Sequence, residues 1–111
     1  MTIPIKGKQY NCFDDGKITK SRLYVVRVID VIAFNDIDEE ILTLWNKEVK
    51  TCHWLYAKET DYFIKTINED EETEYFVRTI NNGWFSIGGF LNCGRLDIDG
   101  TLTNLLSNNY G

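Results

Sequence analysis

The chain has 111 residues and a formal net charge of −5, with 43% hydrophobic, 26% charged and 14% aromatic residues. That length suits one domain spanning 1–111, able to bury about two thirds of the surface of its unfolded chain. The composition excludes a disordered chain, and no apolar run approaches the ~18–20 residues that a membrane helix needs.

The charge is unevenly spread. Residues 1–27 carry six bases against two acids, and residues 28–111 carry six bases against fifteen acids. A mostly acidic surface repels phosphate backbones and attracts basic partners, so direct nucleic-acid binding is not expected and a basic protein partner is. The start, Met1-Thr2-Ile3-Pro4-Ile5-Lys6, lacks signal-peptide architecture, and the expectation is a cytoplasmic protein. Cys12, Cys52 and Cys93 are odd in number and widely spaced, which suits free thiols in a reducing compartment. They show no C-x₂₋₄-C pair, so no metal or other cofactor is expected.

In chain order, Gln9 to Phe13 reads as a strand before the turn dipeptide Asp15-Gly16. Leu23 to Phe34 is the longest strand. One face holds Tyr24, Val26, Val28, Asp30, Ile32 and Phe34, and both faces are largely apolar, as in a strand covered on two sides. A helix follows: Ile37, Ile41, Leu44, Trp45, Val49 and Cys52 recur at offsets of three and four and form one stripe. Asp36 and Glu39 stand in capping-box spacing, with Asp38, Glu39 and Glu40 at the positive end of the helix dipole.

The run Asp61-Tyr62-Phe63-Ile64-Lys65-Thr66-Ile67 then matches Glu74-Tyr75-Phe76-Val77-Arg78-Thr79-Ile80 in residue type at every position. The simplest reading is a hairpin. If residues 67 and 74 face each other, Ile64 pairs with Val77 and Phe63 with Arg78, each apolar cross-strand pair contributing about 0.2–1 kcal/mol. Between the arms, Glu69, Asp70, Glu71, Glu72 and Glu74 place five acids in six positions. They form a solvated tip or a contact surface for a basic partner; calcium-loop spacing is absent. Asn82-Gly83 and Asp99-Gly100 are further type I′ signals, the first between Tyr75–Ile80 and Trp84–Phe90, the second between Arg95–Ile98 and Thr101–Leu105. Gly88-Gly89 marks a bulge or tight bend.

Leu96-Asp97-Ile98-Asp99-Gly100-Thr101 resembles the D-x-D-G-T nucleophile motif of haloacid-dehalogenase phosphatases. That family needs a Rossmann-like domain after the motif, and too few residues follow here. The hairpin reading instead turns Leu96 and Ile98 inward and Asp97 and Asp99 outward. Two carboxylates about 7 Å apart on one strand face are weak evidence for glycosidase chemistry. His53 is the single histidine and adjoins Cys52, so on a helix the two point about 100° apart. No Ser sits in an elbow motif and no phosphate-binding glycine pattern occurs. Trp54, Tyr56, Tyr62, Tyr75, Trp84 and Tyr110 are too many for one small core, so some should reach the surface, where such rings anchor partners.

Three runs, Phe13-Asp14-Asp15-Gly16-Lys17-Ile18, Trp54 to Phe63 and Gly83-Trp84-Phe85-Ser86-Ile87-Gly88, resemble a family of small uncharacterised proteins from gut Firmicutes and their mobile elements. Small acidic proteins of such elements resemble inhibitors of host defence, of the anti-CRISPR or anti-restriction type. The resemblance carries no site residues of its own.

The expected fold is α+β: a curved antiparallel sheet of five to six strands, open or closed into a partial barrel, with one amphipathic helix. The expected function is non-catalytic protein binding, as a small acidic inhibitor of a basic nucleic-acid-handling partner. The expected contact residues are Glu69, Asp70, Glu71, Glu72, Glu74, Asp97 and Asp99. The alternatives are a metal-binding or hydrolytic enzyme using Asp97 and Asp99 or Cys52 and His53, and a homodimeric accessory protein paired through an open sheet edge.

Overall fold

The computed structural model describes residues 3–14, 23–52, 61–79, 83–91 and 94–100. Among the described residues there are six strands: β1 (Gln9–Asp14), β2 (Leu23–Ala33), β3 (Tyr62–Asn68), β4 (Thr73–Arg78), β5 (Trp84–Gly89) and β6 (Gly94–Asp97). A 3-10 turn, Phe34–Asp36, leads from β2 into the helix α1 (Glu39–Cys52). Every strand pairs antiparallel with its neighbour in sequence, and β6 returns to β1 through Asn11↔Asp97 and Cys12↔Leu96. The expected class and strand number hold, but the barrel is closed and not partial.

Two irregularities help the sheet curl. One lies in the β2–β3 register between Val28 and Asp30, the other in the β4–β5 register between Tyr75 and Phe76. Bulges bend a strand and sharpen its twist, which suits closure of so small a barrel. The second sits beside Gly88 and Gly89, as the glycine pair suggested.

All six strands send side chains inward. Tyr10, Cys12, Val26, Val28, Ile64, Phe76, Trp84 and Leu96 form one buried cluster with Leu91. A second layer lies outside the barrel wall, where Ile41 of α1 packs with Phe63, Tyr75, Val77 and Ile87. Ile37, Leu44, Trp45 and Val49 pack against that layer, so the predicted helix stripe faces the barrel. A β-carbon on Gly88 would lie 2.7 Å from Leu44 Cδ2, and the bare backbone there lets the helix approach.

Four local expectations are corrected. Asp38, not Asp36, caps α1: its Oδ1 accepts from Ile41 N at 3.0 Å and its carbonyl accepts from Leu42 N at 3.0 Å. Strict alternation fails in β2: Val26 and Val28 face the interior, and past the bulge Val31 packs inward while Ile32 joins the helix layer. In the β3–β4 hairpin Ile64 faces Phe76 and Phe63 faces Val77, one position from the expected pairing. The cause is the loop. Asn68 and Glu72 close it, leaving the three residues Glu69, Asp70 and Glu71, with Glu71 left-handed at φ 62°.

The type I′ readings are the fourth. The Asp15-Gly16 turn lies outside the described residues; β1 and β2 pair antiparallel, but Phe13 faces Leu23, where a two-residue turn at Asp15-Gly16 would set it against Ile18. At the second site Thr79 N donates to Gly83 O at 2.7 Å, and Gly83 does not take the positive φ that type I′ requires. At the third Gly100 is left-handed at φ 80° but Asp99 is not. Strand β6 already has β1 on one side and β5 on the other, so it offers no edge to a hairpin arm. Residues Thr101 to Leu105 lie outside the described residues.

Candidate functional site

The seven expected contact residues separate into two groups. Glu69, Asp70, Glu71 and Glu72 are exposed at the β3–β4 tip. Asn68 builds that tip: its Oδ1 accepts from Asp70 N at 3.0 Å and from Glu72 N at 2.9 Å, and its Nδ2 donates to Glu72 Oε1 at 3.0 Å. Four carboxylates are therefore presented on a short, internally hydrogen-bonded loop. Asp99 is also exposed.

Glu74 and Asp97 are not on that surface. Glu74 is fully buried on the interior face, where its Oε1 accepts from Leu91 N at 2.9 Å and Thr66 Oγ1 donates to its carbonyl at 3.2 Å. Asp97 is 5% exposed, opposite Asn11 on β1. The expectation that Asp97 and Asp99 share an outward face is thus corrected. Alternation predicts one dry face and one wet face on β6, yet Leu96 and Asp97 are both buried while Arg95 is exposed.

The thiols do not assemble a site among the described residues. Cys12 is buried inside the barrel and forms no disulfide among the described residues. The Cys52 side chain, His53 and Cys93 lie outside the described residues, as do Trp54, Tyr56 and Tyr110. Among the described residues, no group of three or more His, Cys, Asp or Glu is arranged to hold a metal ion. None of the described helices is long and apolar enough to cross a membrane.

A surface missed by the sequence reading lies where β2 ends. Phe34 is 38% exposed, and it is the one exposed aromatic ring among the described residues. Its ring lies 6.1 Å from Trp45 and 5.7 Å from Phe63, and Trp45 meets Phe63 edge-on at 5.5 Å. Leu42, 41% exposed, stands one turn before Trp45 on the helix surface. Asp36, Asp38, Glu39 and Glu40 are all exposed at this end of α1. The patch is thus apolar at its centre and acidic at its fringe. The signal that could have found it is the break at Phe34-Asn35-Asp36, where an aromatic ends a buried strand and leaves the sheet before reaching the helix.

Two clefts flank Phe34. One of about 410 Å3 is lined by Ala33, Phe34, Asn35, Asp61 and Tyr62. The other, of about 400 Å3, runs between the end of β2 and the start of α1, with Asp30, Asp36, Asp38, Ile41, Lys65 and Tyr75 among its walls. Tyr75 is 5% exposed, and burial, then Glu40 and Asp38, raise its pKa above the ordinary phenol value. Each of these factors disfavours the phenolate.

No protein-family model, no curated protein and no solved structure matches this chain.

Proposed function

We propose that the protein is a non-catalytic binding module that inhibits a basic, nucleic-acid-handling protein, as anti-CRISPR and anti-restriction inhibitors do. The observation that carries this reading is the exposed Phe34–Leu42 patch with the acids Asp36, Asp38, Glu39 and Glu40 around it. A desolvated aromatic anchor inside a polar rim is the usual source of affinity in protein recognition. Exposed carboxylates on that rim, and on the Glu69–Glu72 tip, attract a basic groove that ordinarily receives phosphates. The acidic tip supplies steering and Phe34 supplies residence time.

The closed barrel argues against the accessory-dimer alternative in its original form. Each of β1 to β6 already has two neighbours, so edge-to-edge pairing has no free strand among them.

The test is affinity capture with three baits: the unaltered chain, a tip variant with Glu69, Asp70, Glu71 and Glu72 changed to Lys, and Phe34→Ala. The captured protein is then assayed on DNA and RNA. The expected result is a basic enzyme retained and slowed by the unaltered chain. The tip variant should associate at least about tenfold more slowly at low salt, and Phe34→Ala should release at least about tenfold faster. Equal capture by all three baits, or capture without loss of enzyme activity, overturns the reading.

A further inference from the structure

The cleft between β2 and the start of α1 has a polar lining that no internal contact uses up. Asp30 and Asp38 each commit one oxygen to the chain's own backbone: Asp30 Oδ1 accepts from Val31 N at 2.9 Å, and Asp38 Oδ1 accepts from Ile41 N at 3.0 Å. Their Oδ2 atoms and both oxygens of Asp36 have no hydrogen bond to the described residues. Tyr75 is 95% buried and lines the same cleft. Its hydroxyl has no hydrogen-bond partner among the described residues, yet it is not sealed from the cleft as a closed-in polar atom would be. The hydroxyl therefore opens to the cleft with its hydrogen-bonding capacity uncommitted to the chain.

The lining selects the ligand. Three carboxylates outweigh the single cation Lys65, whose Nζ lies over the Tyr75 ring at 5.9 Å and pairs with no carboxylate among the described residues. The cleft therefore favours a cation over an anion. The carboxylates do not converge as a metal cage. They are spread along the end of β2, the 3-10 turn and the helix cap, which suits a flat cation with several separated donors better than a point charge. A guanidinium presents five N–H donors in one plane and loses less hydration than an ammonium. A volume of about 400 Å3 accommodates that group with its alkyl stem against Ile32 and Ile41.

We propose that this cleft binds an alkylguanidinium group, with Asp30, Asp36 and Asp38 accepting its N–H donors and the Tyr75 hydroxyl accepting one more. In the setting of the binding function, on which this assignment of source rests, the group is an arginine side chain of the basic partner. Phe34 and the cleft then act side by side, one holding an apolar contact and the other a charged one.

The experiment needs no partner. The full chain is titrated with agmatine, with an N-acetylated, amidated Gly-Arg-Gly peptide and with n-butylamine, while the Tyr75 ring and Asp30, Asp36 and Asp38 resonances are followed by NMR. The expected result is saturable shifts at these four residues with both guanidinium compounds, at least fivefold tighter than with n-butylamine. Tyr75→Phe should weaken binding about threefold and Asp36→Asn about tenfold, with unchanged thermal unfolding below pH 9 showing that each variant folds. Tighter binding of the peptide than of agmatine assigns the cleft to protein arginine. Tighter agmatine binding keeps the guanidinium site and overturns its assignment to a partner. Equal binding of n-butylamine, absence of saturable shifts at Tyr75, or indifference to both substitutions overturns the cleft itself. Phe34→Ala should leave these titrations unchanged. Failure of the unaltered chain to capture a basic protein, with intact agmatine binding, therefore counts against the binding function and not against the cleft.

Discussion

The runs 61–67 and 74–80 match residue type for residue type, and the barrel uses their described positions in opposite ways. Phe63 packs outside the wall under α1, whereas Phe76 points into the interior. Asp61 is exposed and makes a 3.5 Å ion pair with Arg78, whereas Glu74 is fully buried. Lys65 lines an open cleft, whereas Arg78 lies over the Trp84 ring at 5.5 Å. The reason is parity. Facing residues on β3 and β4 are separated by even numbers of positions, as in Ile64↔Phe76, but the runs repeat after thirteen. An odd shift moves every side chain to the other face of a strand. Likeness of residue type thus says little about location when the spacing between copies is odd.

The strongest way to break this contrast is at the position facing Glu74. Gly89 holds φ 143°, and a β-carbon there would collide with the Thr73 carbonyl oxygen and the Glu74 carboxylate. Gly89→Ala should cost about 3 kcal/mol or more, read by urea unfolding. A loss below 1 kcal/mol, on the order of an ordinary surface change, would show that the Glu74 side chain is not held where described. Next comes the matched pair of acids. Glu74→Ala should cost about 2–3 kcal/mol, because Leu91 N loses its buried acceptor. Asp61→Ala should cost under about 1 kcal/mol, because its partner contact is solvent-screened. Equal losses would erase the distinction between the two runs.

A smaller effect of opposite sign belongs to the loop that sets the register. Glu71 occupies the left-handed region, where glycine is unstrained, and Glu71→Gly should stabilise by about 0.5–1 kcal/mol. A lower melting temperature would mean that the Glu71 side chain does more than tolerate its backbone. The smallest effect concerns Tyr75. Its raised pKa means that the folded state keeps the phenol proton where the unfolded chain, near the ordinary value of 10.0, releases it. The stabilisation is fully present below the unfolded value and is lost as pH rises toward the folded value. Tyr75→Phe should therefore flatten the fall in stability above pH 10, in unfolding curves collected from pH 9 to 11. An unchanged slope would place the Tyr75 hydroxyl in water.

Much of the frame was legible. The helix stripe from Ile37 to Val49, the six strands and the bulge at Gly88-Gly89 follow from local periodicity and local backbone demands. Closure was not legible, because Cys12↔Leu96 joins residues far apart in the chain and no local pattern encodes it. Facing was illegible for the same reason: bulges on β2 between Val28 and Asp30, and on β5 opposite Tyr75 and Phe76, switch parity in mid-strand. Of the expected contact residues, Glu69 to Glu72 and Asp99 are exposed, while Glu74 and Asp97 are buried, Glu74 on the interior face of the barrel. Phe34 escaped notice because its apolar type assigned it to the strand face, and only the turn after Ala33 brings it out.

The seam at β6 also has a kinetic consequence. Hairpins such as β3–β4 close over a few residues, but the β1–β6 joint must bring together segments roughly eighty residues apart, and the entropy of that loop is lost before any contact repays it. The β5–β6 side of the same strand is secured at just two described positions, Trp84↔Leu96 and Phe85↔Arg95. Strand β6 should thus be the last to dock and the first to leave. Amide exchange should find Leu96 and Asp97 less protected than Ile64 and Phe76, and uniform protection would mean that the six strands open as one unit.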